Sequence, residues 1–298
     1  MPLADAKEML EAARAGGYAV PAFNVHNLEF VQAVVSAAEE ERAPVFVAIT
    51  ETSLVYTGDE LARVALDAVG GASVPLAVHL DHGSSVEAAR KAVGLGFNSV
   101  MVDASTRPYD ENVAAVAEAV KEFGPQGIPV EGELGHVAKG HDRGKFTEPD
   151  EAAAFVEATG ASSLAVAVGT SHGAYKFEGE PSIDVERLEA IAAATPVPLV
   201  LHGASAVYQD VVRALEAAGG HLPEARGLSD ELLARAVAHG IAKVNVDTDL
   251  RLAFVAAVRK YLKDNPSAID PRKILGAGRD GVREMARRKI AACRGAVR

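Results

Sequence analysis

Eight short apolar runs, each ending in a polar residue and each followed by a helical pattern, recur along the chain: Tyr18 to Val25, Pro44 to Ile49, Val74 to Leu80, Ser99 to Val102, Ile128 to Val130, Ser163 to Val168, Pro198 to Leu201 and Ile241 to Val246. The runs are continuously apolar rather than alternating, which predicts parallel strands covered on both faces. Helices are predicted between them, with Gly16-Gly17 stopping the first (Ala4 to Ala15), a single helix over Tyr56 to Val69, and Ser84 or Ser85 capping one that runs to about Val93. A count of eight favours closure into a barrel over an open sheet. A dinucleotide-binding sheet would need GxGxxG after its first strand, and Pro21-Ala22-Phe23-Asn24 stands there instead. The expectation is therefore an α/β protein, a (β/α)8 TIM barrel, which typically needs about 250 residues. One such domain would span 1–298, with additional C-terminal helices over about 250–298, namely Leu250 to Lys263 and Arg272 to Ala292.

In a barrel of this kind the working residues stand at the C-terminal ends of the strands. Those ends carry Asn24 and His26, Thr50, Asp81 and His82, Asp103, Glu131 and Glu133, His172, His202 to Ser205, and Asn245 to Thr248. The densest cluster is His79-Leu80-Asp81-His82-Gly83, two imidazoles and a carboxylate closing an apolar strand. Buried groups of this kind are costly unless paired or ligated, so the cluster points to a metal or a reaction, the plain alternative being a core histidine bonded to an aspartate. Gly169-Thr170-Ser171-His172-Gly173 and His202-Gly203-Ala204-Ser205 repeat the order of strand, histidine and glycine. Three histidines from different strands can converge on one zinc and leave a position open for a substrate oxygen. His79 lies two residues before Asp81, on the same strand face, and reads as a structural orienter. His221 and His239 lie in or beside outer helices and are expected in solvent.

Glycine after a ligand allows an anionic group close to the backbone, whose N–H groups can form an anion nest; an ordinary turn is the other reading. Gly173, Gly203, Ala204 and Ser205, with Asn245, Val246, Asp247 and Thr248, occupy the region where many barrels bind phosphate.

The 298 residues are 49% hydrophobic, and no stretch approaches the roughly 18 uninterrupted apolar positions of a membrane span. The start, Met1 to Lys7, lacks the basic and apolar regions of a signal peptide. A single cysteine, Cys293, excludes a disulfide framework and a cysteine-based zinc site and suits the cytoplasm. A net charge of −11 argues against nucleic acid or an anionic membrane as partner, while a phosphorylated substrate stays possible if metal and backbone N–H groups supply the positive field.

The motifs HLDHG, the Asp103 strand end, EGELG, AVGTSHGAYK, LHGAS and NVDTDLRLAF resemble, in order and from about Gly17 to Arg272, the class II, zinc-dependent fructose-bisphosphate aldolases, including the tagatose-bisphosphate branch. The resemblance implies that His82, His172 and His202 hold the catalytic Zn2+. It also implies that Asp103 and Glu133 hold a second or alternative divalent metal and that Asp81 transfers the proton. It assigns Gly173, Gly203 to Ser205 and Asn245 to Thr248 to the dihydroxyacetone-phosphate half of the substrate, where backbone carbonyls tend also to hold a monovalent cation, Na+ or K+. Asn24 and Thr50 resemble further substrate contacts. Asp270-Pro271-Arg272 resembles the segment whose arginine reaches the other phosphate from a neighbouring subunit, so a homo-oligomer, dimer or tetramer, is expected.

The implied reaction is metal-dependent cleavage of a ketose 1,6-bisphosphate, fructose 1,6-bisphosphate before tagatose 1,6-bisphosphate, to dihydroxyacetone phosphate and glyceraldehyde 3-phosphate. A Schiff-base aldolase would need a desolvated lysine at a strand end. Lys243 lies nearer the start of its strand and Lys176 lies in a loop. A zinc hydrolase, a sugar-phosphate epimerase or a non-catalytic sugar-phosphate binding protein could carry the same ligands. One departure stands out. The family's loop after EGELG usually carries Gly-Gly and then acidic residues including a proton-carrying Glu, where this chain has a short run from His136 to Gly144. His141 and Asp142 occupy about the aligned positions and are the expected second proton carriers, with Glu131 or water behind them.

Overall fold

In a computed structural model of the protein, the structure describes residues 3–135, 138–139, 145–172, 182–222 and 225–295, of which 138, 139 and 172 are described by their backbone alone. Ten strands lie among the described residues: β1 (Val20–Asn24), β2 (Val45–Thr50), β3 (Leu76–Gly83), β4 (Ser99–Val102), β5 (Val130–Leu134), β6 (Ala138–Lys139), β7 (Ser163–Val166), β8 (Ser171–His172), β9 (Leu199–Leu201) and β10 (Ile241–Val246). Eight of them close a parallel barrel in the order β1-β10-β9-β7-β5-β4-β3-β2, and β6 pairs with β8 outside it. The barrel strands are buried almost throughout, as their unbroken apolar runs require.

The barrel interior is layered. At its base, helix α1 (Ala6–Gly16), capped by Asp5, packs Met9 and Leu10 against Val20, Ala22, Phe46 and Ala77. Side chains on a strand alternate, so the interior positions above this apolar floor are His79, Glu131 and Lys243, and then Asp81, Glu133 and Asn245. Both polar layers are buried. The outer core lies between the barrel wall and the surrounding helices.

Four local differences from the sequence expectation matter. The helix expected over Tyr56 to Val69 is two helices, α3 (Glu51–Thr57) and α4 (Glu60–Gly70), because Thr50 caps α3 through the Ser53 N–H and Gly58, at φ 67°, ends it. β5 runs through Leu134 rather than stopping at Val130, which places Glu131 and Glu133 inside the barrel. Thr248 does not extend the last strand: Asp247 is the N-cap of α11 (Thr248–Asp264) and Thr248 its first residue. The register between β3 and β4 shifts between Leu80 and Gly83, and His82 adopts φ 50°. This irregularity brings Asp81 and His82, neighbours that a regular strand would point to opposite faces, to one site.

After α11 the chain returns as the long helix α12 (Pro271–Cys293), which packs on α11 and on α2 (Leu28–Glu41). Cys293 is fully buried, and its carbonyl accepts the Ala19 N–H at the foot of β1.

Candidate active site and metal centre

The upper polar layer opens on Asp81. Asn24 Nδ2 donates to its Oδ2 over 2.7 Å and Asn245 Nδ2 to its Oδ1 over 2.8 Å, so amides from β1 and β10 hold both oxygens. Burial pushes this carboxyl up, but His82, His202 and Lys243 outweigh it and bring it down to about 2. It is an oriented, ionised carboxylate.

His82 Nδ1 lies 2.7 Å from Asp103 Oδ2, and Asp103 Oδ1 accepts the Ser105 hydroxyl at 2.7 Å and the Ser105 N–H at 3.1 Å. Burial lowers the His82 imidazole while Asp81 and the Asp103 contact raise it, and the balance is upward. Burial also opposes ionisation of Asp103, which His82 and Ser105 nevertheless hold well below the usual carboxylate range. The His82 and His202 rings meet edge to face with centroids 4.6 Å apart.

His202, fully buried, stands between two carboxylates: Nε2 is 3.0 Å from Glu131 Oε1 and Nδ1 3.2 Å from Glu133 Oε2. Burial disfavours its charge, yet the hydrogen bond to Glu131 and the close Glu133 carboxylate raise it to about 10. Glu131 in turn accepts from Lys243 Nζ at 2.7 Å, Lys243 Nζ lies 3.2 Å from His79 Nε2, and His79 Nδ1 lies 2.8 Å from Ser99 Oγ. Burial, then the neighbouring Lys243, lowers His79 to about 3, so it is neutral.

A metal ion suits this arrangement. Ligand atoms of Asp81, His82 and His202 lie within 4.8 Å of one another, as do those of His82, Asp103 and Glu133. Glu133 Oε2 is buried with no donor in hydrogen-bonding geometry among the described residues, an arrangement a cation would relieve. Imidazole with carboxylate is a donor set for zinc and related divalent ions. Glu131 on the far nitrogen of His202 is the carboxylate that commonly orients a ligating imidazole.

The remaining expected residues fall as follows. The His172 side chain, Gly173, His141 and Asp142 lie outside the described residues, although the His172 backbone pairs with Lys139 in the β6–β8 ladder. Thr50 is spent on capping α3, beside Asp81 in the β2–β3 register. Gly203, at φ 63°, fits closely for a reason other than a ligand: a Cβ there would meet the Ser171 carbonyl oxygen at 2.6 Å and its nitrogen at 3.0 Å. Ala204 and Ser205 are buried beside it. Val246 belongs to the core and can offer a ligand only its backbone. Asp247 Oδ1 lies 2.8 Å from His26 Nε2 and 2.8 Å from Arg251 Nε. Arg272 is not brought to the site; its side chain is 90% exposed and pairs with Asp270.

Two features escaped the sequence reading. One is the amide clamp on Asp81. The other is Lys243, whose alternation with Asn245 in β10 was the available signal that it faces the interior. Its ammonium is held by Glu131, so it is not the free amine a Schiff base needs. His239 Nδ1 lies 2.6 Å from Glu189 Oε1 at the surface, and His221 is exposed.

The family profile "Fructose-bisphosphate aldolase class-II" matches residues 4–297. The chain is 49% identical over 290 residues to the fructose-bisphosphate aldolase of Thermus caldophilus, covering 95% of each chain, and 40% identical over 302 residues to that of Giardia intestinalis, covering 98% of this chain and 93% of that one. The crystal structure of the YdjI aldolase from Escherichia coli K12 superposes with a TM-score of 0.82 at 35% identity, covering 98% of this chain and 97% of that one. On the barrel, the strand-end cluster and these likenesses together, the chain belongs to the class II fructose-bisphosphate aldolase family.

Proposed function

We propose that the protein is a zinc-dependent aldolase that reversibly cleaves fructose 1,6-bisphosphate to dihydroxyacetone phosphate and glyceraldehyde 3-phosphate. The observation that carries this is the meeting of Asp81, clamped and ionised, with His82 and His202 at one end of the barrel. His82 and His202, with His172 from the β8 end, are the residues we assign to the catalytic metal; Glu133 and Asp103 are assigned to an alternative position. A divalent metal bound there supplies Lewis acidity toward the ketose carbonyl and the adjoining hydroxyl.

Asp81 acts on the proton. In cleavage its carboxylate takes the hydrogen of the C4 hydroxyl as the C3–C4 bond breaks, the C4 oxygen becomes the aldehyde, and the bonding pair passes to the three-carbon fragment. In condensation the same proton returns. Asn24 and Asn245 aim the carboxylate, and Asp81 itself is buried. His141 and Asp142 are assigned the second proton, at C3 of the triose fragment. Glu131 is a poor alternative because both its oxygens are committed, to His202 and Lys243. Gly203, Ala204 and Ser205 with Asn245 to Thr248 are assigned the phosphate of the dihydroxyacetone half, with a monovalent cation held by carbonyls nearby.

Arg272 is assigned to a neighbouring subunit's substrate, since it is extended into solvent near the 92%-exposed Ile269 at the start of α12, and a homo-oligomer follows. Among the described residues no helix is long and apolar enough to cross a membrane, and the lone cysteine is buried and unpaired; we place the enzyme in the cytoplasm. The test is a coupled assay of fructose against tagatose 1,6-bisphosphate, with and without chelator. Chelator-sensitive cleavage with fructose preferred is expected. Absence of triose-phosphate product from either sugar would refute the proposal.

A further inference from the structure

Helix α12 carries a fully buried lysine that the chemistry above does not use. Lys289 Nζ lies 3.5 Å from the Ala204 carbonyl oxygen, 3.5 Å from Asp249 Oδ2, 3.9 Å from Asp230 Oδ1 and 5.3 Å above the Tyr208 ring. Asp249, on α11 and also buried, accepts two consecutive backbone donors, the Ala206 N–H at 2.8 Å and the Val207 N–H at 2.7 Å. Tyr208 donates to Asp230 Oδ1 at 2.6 Å, and the Leu228 N–H reaches the Ser205 carbonyl at 3.0 Å. The turn after His202 is thus gripped by charged groups on three helices: Asp230 at the start of the helix Asp230–Ala238, Asp249 on α11, which follows the last strand, and Lys289 on the C-terminal helix α12.

Two features make this grip more than packing. Val207 is β-branched and buried, yet stands at φ 50°. Such a residue keeps that conformation only where its surroundings over-determine it, and strain of this kind gathers at ligand sites. A buried ion pair is also weak evidence for stability, because apolar residues of similar volume commonly do as well. What the pair supplies is a fixed path for residues 203 to 207.

We propose that Lys289 and Asp249 are positioning residues for the substrate's phosphate: they lock the turn that presents Gly203, Ala204 and Ser205 to the phosphate monoester dianion of the dihydroxyacetone half. This rests on the phosphate assignment made above. Without the ammonium, the Asp249 carboxylate lacks its counter-charge and the Ala204 carbonyl its donor. Val207 then relaxes toward negative φ and the phosphate-facing groups lose register. His202 is fixed separately, by β9 and by Glu131, so the metal stays in place.

The test uses the full-length, zinc-loaded protein and reads KM and kcat for fructose 1,6-bisphosphate together with zinc per chain. Lys289→Met raises KM by about 10-fold or more with kcat within about 3-fold and zinc content unchanged, the split expected when ground-state and transition-state binding are lost equally. Lys289→Arg, which keeps the charge, stays within about 3-fold of the parent KM. Should Lys289→Met fail to fold, Lys289→Gln, which is uncharged and one bond shorter and so loses both the counter-charge to Asp249 and the reach to the Ala204 carbonyl, carries the same comparison. Parental KM in a folded Met or Gln variant overturns the positioning role, as does a joint fall of kcat, zinc content and affinity, which is the mark of general fold support. Ser205→Ala separates the two layers of inference. Parental KM there overturns the phosphate assignment itself, whereas raised KM in Ser205→Ala with parental KM in the lysine variants overturns only the role of Lys289.

Discussion

His202 Nε2 and Glu131 Oε1 lie 3.0 Å apart in the closed interior of the barrel, joining a strand-end imidazole of β9 to a carboxylate that β5 holds one layer lower. The Nε2 of His202 is therefore occupied, and Nδ1, 3.2 Å from Glu133 Oε2, is the nitrogen we assign to the proposed metal. Glu131→Gln keeps the shape but loses the charge that orients the ring and balances Lys243. A loss of about 10- to 100-fold in metal affinity is expected, as for other carboxylates behind ligating histidines. Competition with a chelator of known affinity measures it, and unchanged affinity would show that Glu131 balances Lys243 and nothing more.

The amide clamp on Asp81 leads to a second expectation. Asp81→Ala should lower cleavage by at least about 10²-fold, the low end for removing a positioned acid–base group, while zinc stays bound. Near-parental turnover would demote Asp81 to an orienting role.

Exhaustive chelation should abolish cleavage and added zinc should restore it. His82→Ala, His172→Ala and His202→Ala should each lose metal-dependent turnover, because removing one ligand misplaces the Lewis acid. Zinc content and rate, measured on the same preparation, decide the matter; full activity at zero zinc would refute the assignment.

For the loop after β5, the measurement is exchange of solvent hydrogen into dihydroxyacetone phosphate, which isolates the C3 proton from carbon–carbon cleavage. The double substitution His141→Ala, Asp142→Ala should slow this exchange by about 10²-fold with metal affinity intact. Exchange at the parent rate would pass the role to water.

Cys293 offers a check on the extension rather than the site. Burial pushes its thiol up to about 12, and it is fully enclosed. A folded value raised above the unfolded one contributes stability that is complete below the unfolded value of about 9 and is lost as pH rises toward 12. A thiol reagent at pH 8 should therefore label Cys293 only as fast as the protein unfolds. Labelling at the rate of a free thiol would mean that the end of α12 detaches from the barrel on its own.

The sequence by itself determined the architecture. Eight continuous apolar runs separated by capped helical patterns have few ways to bury both faces of a parallel sheet, and a closed barrel is one of them. It also determined where the chemistry gathers, because polar residues that end buried strands must find partners at the barrel mouth. Asp81, His82, Asp103, Glu133 and His202 were named on that ground and on family resemblance, and the structure brings all five together. What only the tertiary structure decided are relations across strands. The bulge in β3 sets Asp81 and His82 on one side, which period-two alternation forbids. The extension of β5 through Leu134 carries Glu131 into the interior to meet Lys243, a pairing that joins residues 112 positions apart. The grip of Lys289 and Asp249 on the turn after His202 depends on how α11 and α12 fold back against the barrel. No local pattern encodes such contacts, because each depends on which strand or helix the closed fold places next to which.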